Sequence, residues 1–456
     1  MITFPLITHA HAQDVIAYGP DQPITAAHFL ADVRQLAAAL PAGKHVLNVC
    51  SDRYRFAVGM AAALLADKIS LLPPTLTPEM VRQVKDFAPD VFCLTDQPQA
   101  IALPQFSWVD TLTAPSPARA GKQTENLDIP EISGSRTAAI VFTSGSTGAP
   151  VAHRKSWGGL VHSVRAEAGR LGLLDGQRHS IVATVPPQHM FGFESSVLIA
   201  LQSGAAMCVA HPFYPADICS TLAEAPRPRM LVTTPVHLKV LLASGLDIPL
   251  PDLVLSATAP LSPQLATAAE ARLQAPVFEI YGSTETGQIA YRRTTQATEW
   301  TLFPEIMLSS TQGRVWASGG HLEQATPLGD ELELLDGEHF LLHGRTADLI
   351  NIAGKRSSLG YLNHQLNAVA GVIDGAFFMP DEEEDVTVTR LTAFAVAPHM
   401  TAPALLAALR ERIDAVFIPR PLVLLESLPR NSTGKLPRET LQALAREHRK
   451  KVAHAK

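Results

Sequence analysis

Three short segments of the chain combine residue types suited to nucleotide chemistry. In the first, Thr143-Ser144-Gly145-Ser146-Thr147-Gly148 follows the apolar run Ala138-Ala139-Ile140-Val141-Phe142, the pattern of a buried strand opening into a loop. Glycines let the backbone approach an anion closely and aim successive N–H groups at it, while Ser and Thr hydroxyls add rotatable donors. The loop therefore predicts a nucleotide ligand. It is not a Walker loop, because Gly145 is followed by Gly148 and the next lysine is Lys155. In the second, Tyr281-Gly282-Ser283-Thr284-Glu285-Thr286-Gly287 follows the apolar stretch Val277-Phe278-Glu279-Ile280. It offers an aromatic face, backbone donors, hydroxyls and one carboxylate, a set that suits a purine and a magnesium ion. In the third, Leu428-Pro429-Arg430-Asn431-Ser432-Thr433-Gly434-Lys435-Leu436-Pro437-Arg438 sets one lysine at the tip of a glycine-containing turn with proline on both sides. Each segment taken singly is also the composition of an ordinary surface turn.

The elements that must position these residues alternate along the first half of the chain. Apolar strands over 45–50, 70–72, 91–94, 180–185, 206–210, 230–233 and 253–256 are interleaved with helices over 55–65, 78–87, 156–170 and 194–202, the α/β pattern of parallel sheets. Residues 112–135, rich in Pro, Ser and Ala, read as a loop. From about residue 300 the texture changes to short strands over 314–317, 331–335 and 339–342. The only acidic run, Glu382-Glu383-Glu384, reads as an exposed loop.

Composition sets limits on function. A chain of 456 residues with 46% hydrophobic content can bury a large core and should divide into more than one domain. A net charge of −6 points to neither nucleic acid nor an anionic membrane, and the one basic run, 446–456, reads as a solvated helix end. Cys50, Cys93, Cys208 and Cys219 form no Cys-x-x-Cys pair and sit in or beside apolar runs, as reduced core thiols do. The N-terminal residues lack a basic region and Pro5 interrupts their short apolar stretch, so no signal peptide is read. The longest apolar helix candidate, 56–66, is about half the length of a membrane span. A soluble cytoplasmic protein is expected.

In their order and separations the motifs resemble the adenylate-forming superfamily: acyl- and aryl-CoA synthetases, adenylation domains of peptide synthetases, and firefly luciferase. The resemblance runs from about residue 25 to 445. Besides the three segments above, its carriers are Ser256-Ala257-Thr258-Ala259-Pro260-Leu261-Ser262 and Gly344-Arg345-Thr346-Ala347-Asp348-Leu349-Ile350. Val185-Pro186-Pro187-Gln188-His189-Met190-Phe191-Gly192-Phe193-Glu194 and Gly354-Lys355-Arg356-Ser357-Ser358-Leu359 are similar to the short AMP-ligases of aryl-polyene and xanthomonadin-like pathways. The family fold is α/β. It implies a large N-terminal part with parallel sheets, 1–343, carrying the ATP and acyl sites, and a small mobile α+β lid, 344–456, carrying a catalytic lysine.

The resemblance also implies roles. Thr143, Ser144, Gly145, Ser146, Thr147 and Gly148 would hold the β- and γ-phosphates, with Thr284 on the α-phosphate and Glu285 on Mg2+. Tyr281, with Gly282 and Ser283, would face the adenine, and Ala259 and Pro260 its other side. Arg345 would bond the ribose, and so would Asp330, unless Asp330 is a β-turn aspartate. Lys435 would bridge the acyl oxygen and α-phosphate. His189 would gate the carboxylate, or else be a core histidine. Phe191, Phe193, Thr233, Thr234 and Val236 are either pocket walls or core. After AMP transfer the lid would turn, with Gly354 admitting a pantetheine thiol.

The expected activity follows. ATP activates a carboxylic acid, an aryl acid such as hydroxybenzoate or an acyl acid, as its adenylate, which passes to the thiol of CoA or of an acyl carrier protein's phosphopantetheine. Three departures leave alternatives. The usual lysine after Pro150 is Val151, so His153, Arg154, Lys155 or magnesium must meet the phosphate charge. The hinge position two after Arg345 holds Ala347. The stretch from 285 to 345 is short, predicting a reduced third subdomain or a missing strand pair. A non-catalytic binder, or an enzyme that stops at the adenylate, fits these departures.

Overall fold

The computed structural model describes residues 2–108, 127–144, 150–345, 349–352, 355–380, 391–431 and 434–454. Two sheets dominate the N-terminal part. The smaller has six strands in the order Pro150–Ser156, Thr137–Ser144, Ile69–Leu72, His45–Asn48, Phe92–Thr95 and Gln105–Ser107, parallel except for its first, antiparallel edge. The larger has eleven strands. Its centre is a parallel run of Val277–Ser283, Leu253–Ser256, Arg229–Thr233, Ser180–Ala183, Ala206–Cys208 and Val15–Tyr18.

Why those strands are continuously apolar is visible in how they bury both faces. Met230 and Val232 point into one core cluster and Leu231 into another, and Val254 and Leu255 divide the same way. A strand covered on both faces has no polar side to present, so it reads as an unbroken apolar run. The helix Arg53–Leu65 touches strands of both sheets, and its side chains from Phe56 to Leu64 are all buried.

The strand Val277–Ser283 turns back as Gly287–Arg293, continuing antiparallel through Trp300–Leu302, His339–Arg345 and Asp330–Leu334. Between these, Ile306–Thr311, Arg314–Gly319 and Thr326–Pro327 form a separate three-stranded sheet. The stretch 285–345, expected to hold a reduced subdomain or lack a strand pair, carries this sheet. The C-terminal residues have their own cores, centred on Leu362, Leu366, Phe377 and Leu405 on one side of the strands Asp374–Phe378 and Thr392–Val396, and on Phe378 and Phe394 on the other. The expected division at 343/344 falls within the strand His339–Arg345, and the C-terminal core begins at Ile350. The large N-terminal part of mixed and parallel sheets with a smaller C-terminal α+β part is the expected fold class.

The helix expected over 156–170 is Trp157–Arg170, and the residues before it, Pro150–Ser156, form a strand that no expectation covered, paired antiparallel with Thr137–Ser144. Two local expectations need correction. Within 112–135, read as loop, Glu131–Ser133 is a strand paired with Thr3–Pro5. The helix expected over 194–202 is longer and irregular: Met190–Gly192 leads into a π-helical stretch, Phe193–Leu198, and then Ile199–Ser203. The thiols fit their reading, with Cys50, Cys93 and Cys208 buried, Cys219 half-buried, and all four unpaired.

Candidate active site

The phosphate hairpin brings its far strand to the Glu285 turn. Alternation along Pro150–Ser156 sends Val151, His153 and Lys155 to one face and Arg154 to the other. His153 Nε2 lies 2.9 Å from Thr143 Oγ1 and 3.8 Å from Glu285 Oε1, and Lys155 Nζ donates to the Glu285 carbonyl at 2.9 Å. Arg154 instead donates to Thr137 Oγ1 and the Ser135 carbonyl at 2.6 and 2.9 Å, so it turns away from the candidate phosphate site. Gly145, Ser146, Thr147 and Gly148 lie outside the described residues, as do Ala347, Gly354 and the side chains of Ser144 and Arg345.

The second segment forms a hairpin with Thr284, Glu285 and Thr286 as its turn and a register shift between Tyr281 and Gly282. Thr286 N donates to Ser283 Oγ at 3.2 Å, closing the turn. Thr284 is half-buried, while the Glu285 side chain keeps 39% exposure and so is open to a ligand. Tyr281 is 8% exposed, its ring set against Trp300 and Phe340 at 5.6 and 5.5 Å. Its hydroxyl donates to Asp330 Oδ2 at 2.7 Å, and Asp330 pairs across the sheet with Arg345. Asp330 therefore stands in a strand beside Tyr281 and the Arg345 backbone, not in a β-turn.

Ala259 and Pro260 lie on the loop after Leu253–Ser256, where Thr258 has φ +77°, a left-handed conformation costly for a β-branched residue. The loop is fixed from below by the buried Glu279, whose Oε1 accepts from Leu261 N at 2.8 Å. Its other oxygen takes Arg292 Nε at 2.8 Å and Thr294 Oγ1 at 3.0 Å. Burial pushes the Glu279 carboxyl up, and Arg292 offsets part of that.

The lysine turn closes on itself and on the N-terminal part. Gly434 N donates to the Asn431 carbonyl and Lys435 N to Asn431 Oδ1, both at 2.8 Å. Arg430 spans the base, with Nε and Nη2 each 2.7 Å from an Asp374 oxygen and Nη1 2.9 Å from the Gly434 carbonyl. Gly434 has φ +77° and sits so close to the helix Pro235–Ala243 that a Cβ would stand 3.0 Å from Val236 Cγ2. Lys239 of that helix donates to the Ile373 carbonyl. The turn thus rests against Thr234 and Val236, with Lys435 exposed and near enough to His189 to act on its charge.

Burial, then the Lys435 ammonium, hold His189 below the usual imidazole range. Burial also draws down His211, to about 4, with Arg53, His237 and His189 adding to it, and lowers His237. His211 Nε2 lies 3.1 Å from the Thr184 carbonyl and His237 Nδ1 2.9 Å from Thr234 Oγ1. Neutral imidazoles and the Thr184–Thr233 hydroxyl pair, 3.0 Å apart, thus gather beside the lysine turn. Phe193 is fully buried against Phe56, a core residue and not a pocket wall. Arg53, which sequence reading missed, is fully buried and donates to the carbonyls of Ala183, Val185, Cys208 and Ala210 and to Ser196 Oγ. It ties the ends of two central strands to the π-helical stretch that follows His189.

Among the described residues no group of three or more His, Cys, Asp or Glu could hold a metal ion. Mg2+ takes one or two carboxylates together with substrate phosphates, and the exposed Glu285 offers one carboxylate at the hairpin turn. No helix of the described residues is long and apolar enough to cross a membrane.

A parallel-sheet body, its antiparallel hairpin at Glu285 and a lysine turn from the C-terminal part make up a two-part α/β fold. Residues 8–339 match the AMP-binding enzyme family, and the chain belongs to it. It is 30% identical over 282 residues to a 4-coumarate–CoA ligase of Rhodobacter capsulatus, covering 62% of this chain and 69% of that one. It is 25% identical over 362 residues to a 3-hydroxybenzoate/4-hydroxybenzoate–CoA ligase of Thauera aromatica, covering 70% and 68%. The o-succinylbenzoate CoA synthetase of Bacillus subtilis, solved with its acyl-adenylate intermediate, shares the fold with a TM-score of 0.78 at 18% identity, covering 94% of this chain and 95% of that one. The chain is accordingly an enzyme of the AMP-forming acid–thiol ligase class, using ATP, Mg2+ and CoA.

Proposed function

We propose that this enzyme activates an aromatic carboxylic acid of the hydroxybenzoate or hydroxycinnamate kind. The adenylate would then pass to the phosphopantetheine thiol of CoA or of an acyl carrier protein. The observation that carries this reading is the seating of the Lys435 turn against Thr234 and Val236 beside His189. The named relatives act on aromatic acids, and the neutral histidines and threonine hydroxyls near Lys435 supply donors and acceptors that an aliphatic chain could not use. The carrier-protein acceptor and the likeness to aryl-polyene and xanthomonadin-type ligases rest on the motifs around His189 and Gly354. Cytoplasmic residence draws support from the four unpaired thiols.

A carboxylate is a poor electrophile because its leaving group would be oxide. Transfer of AMP onto it, with pyrophosphate leaving, gives a mixed anhydride whose leaving group is a phosphate ester. The protein's task is to align the acyl oxygen with the α-phosphorus and meet the developing charge. In this reading Lys435 bridges the two, Thr284 bonds the α-phosphate, and Asp330 and Arg345 hold the ribose. Tyr281, Gly282, Ser283, Ala259 and Pro260 enclose the base, and residues 143–148 take the β- and γ-phosphates. Neutral His189 fits a gate for the acid, since an imidazolium would compete with Lys435 for the carboxylate. Magnesium, when bound at Glu285, would screen the triphosphate. Residues 1–343 would carry these sites and 344–456 would form the lid, turning between the two half-reactions.

Acid-dependent ATP–pyrophosphate exchange tests the reading, run with benzoates, cinnamates and medium-chain fatty acids. Lys435→Ala is expected to lower exchange on the order of a hundred- to a thousandfold, the usual effect of losing a transition-state donor. Exchange with none of the acids would favour a non-catalytic binder, a reading that the half-exposed Val151 after the phosphate loop motivates. Intact-mass analysis for a thioester on CoA or a carrier separates a full ligase from an enzyme that stops at the adenylate.

A further inference from the structure

Beneath the Glu285 turn lies a buried polar cluster that the proposed chemistry does not use. The turn's two successive carbonyls are each held from the body: that of Glu285 by Lys155 Nζ at 2.9 Å, that of Thr286 by His321 Nε2 at 2.8 Å. Burial draws His321 down to about 4, so the ring is neutral and its Nε2 carries the proton it donates. Under the same turn sits the carboxyl of Glu194, from the π-helical stretch Phe193–Leu198, accepting from Ser163 Oγ at 3.1 Å. Gly287 has φ +70° and lies so close that a Cβ there would stand 2.9 Å from Glu194 Oε1. Only glycine leaves room for the turn to settle onto that carboxyl.

The ammonium of Lys155 stands in the field of Glu194, Glu285 and Glu323, which together offset the burial that draws its pKa down. Its neighbour on the same strand face, Val151, stands half-exposed where the resemblance implies a lysine. Charge is therefore missing at the mouth of the phosphate hairpin and present four residues further in, gripping the backbone that presents Glu285.

We propose that Lys155 is a positioning residue for nucleotide and metal binding. Its ammonium, bonded to the Glu285 carbonyl above the turn that Glu194 underlies, fixes the turn that carries Glu285. This rests on the reading of Glu285 as a magnesium ligand. A turn whose carbonyls are pinned from one side holds its single carboxylate in one place, and pre-placing a ligand spares the ordering cost at binding. Without the ammonium, of the two carbonyls only that of Thr286 stays held from the body, by His321, and Glu285 is placed less firmly for each nucleotide.

The test is calorimetric titration with ATP across a magnesium series, without any acid present, using wild type, Lys155→Met, Lys155→Arg and Glu194→Gln. Lys155→Met is expected to weaken Mg-ATP binding about tenfold, the loss of one charged hydrogen bond, and to raise the magnesium needed for half-saturation. Lys155→Arg should restore most of the affinity. In exchange assays the loss should appear in the KM for ATP, with the KM for the acid unchanged. Should Lys155→Met not fold, Glu194→Gln decides, with the same rise in magnesium requirement expected. Wild-type affinity and magnesium dependence in a folded Lys155→Met, or in Glu194→Gln in its place, overturn the proposal. A wild type that binds Mg-ATP but exchanges no pyrophosphate with any acid defeats the reading of acid activation and leaves this titration to judge Lys155.

Discussion

Glu167 shows what a single buried residue can reveal. It has no exposed surface, and its Oε2 accepts from Gln288 Nε2 at 2.7 Å. Burial pushes its carboxyl up from 4.5 to about 8, the bond from Gln288 offsetting only part, and Glu194 nearby is pushed up to about 7. In the folded chain Glu167 therefore keeps a proton that the unfolded chain releases near its ordinary value. A raised carboxyl contributes stability that is fully present below about pH 4.5 and is lost as pH rises through the folded value. Stability should fall across that window. Glu167→Gln removes the titration while keeping a partner for Gln288, so urea unfolding should show a flatter decline, with a gain on the order of 1–3 kcal/mol near pH 9. An unchanged pH slope in the variant would show that Glu167 is not the group responsible. None of this was legible in the sequence. Glu167 belongs to no motif, and its partner Gln288 is far along the chain, so only folding brings the two together.

At the scale of elements, legibility follows how much of a signal is local. The helix Pro78–Phe87 has the bounds expected from sequence because Thr77 caps it, donor Met80 N lying 3.4 Å from Thr77 Oγ1, and Pro78 occupies its first turn. The strand Leu253–Ser256 likewise matches, since both its faces are buried. The strand Pro150–Ser156 escaped because it is an edge: His153, Arg154 and Lys155 alternate between site and solvent, and such a pattern resembles a polar loop. Glu131–Ser133 escaped because its pairing partner, Thr3–Pro5, lies at the other end of the sequence. The π-helical turn at Phe193–Leu198 has no sequence signature of its own. Glu279 makes the elements act together, tying its own strand, the Gly287–Arg293 strand through Arg292, and the Ala259-Pro260 loop through Leu261 N. Glu279→Ala takes from the half-buried Arg292 a carboxylate 2.7 Å away at its closest, leaving it the Thr298 carbonyl and the Trp300 face. Losing a charged hydrogen bond of this kind costs about 1.5–3 kcal/mol. The expected result is a lower unfolding midpoint together with faster proteolytic cleavage at the 257–262 loop. A drop in midpoint with the loop as resistant as in wild type would mean that Glu279 serves the sheet alone.

For the whole molecule, the question is what brings a lysine from the C-terminal part to a site built by the N-terminal part. The order of motifs made Lys435 visible in the sequence, but what places it was not, because the contacts come from Asp374 and from the helix Pro235–Ala243. Arg430 is the joint. It holds Asp374 with two bonds and the Gly434 carbonyl with a third, so the base of the lysine turn and the strand Asp374–Phe378 move as one piece. The pair is partly exposed, at 22% and 27%, so its share of global stability is small, about 1 kcal/mol or less. Its share of catalysis should be larger, since a donor displaced by an ångström loses much of its hold on a transition state. Arg430→Ala is therefore expected to lower the rate of pyrophosphate exchange about tenfold while leaving ATP affinity and the unfolding midpoint near wild type. Asp374→Asn should do the same, and the double variant should be little worse than either single one, because both remove one contact. Losses that multiply in the double variant would mean that Arg430 and Asp374 act separately. A fall in ATP affinity with the exchange rate intact would place their effect on the nucleotide site and not on the approach of Lys435.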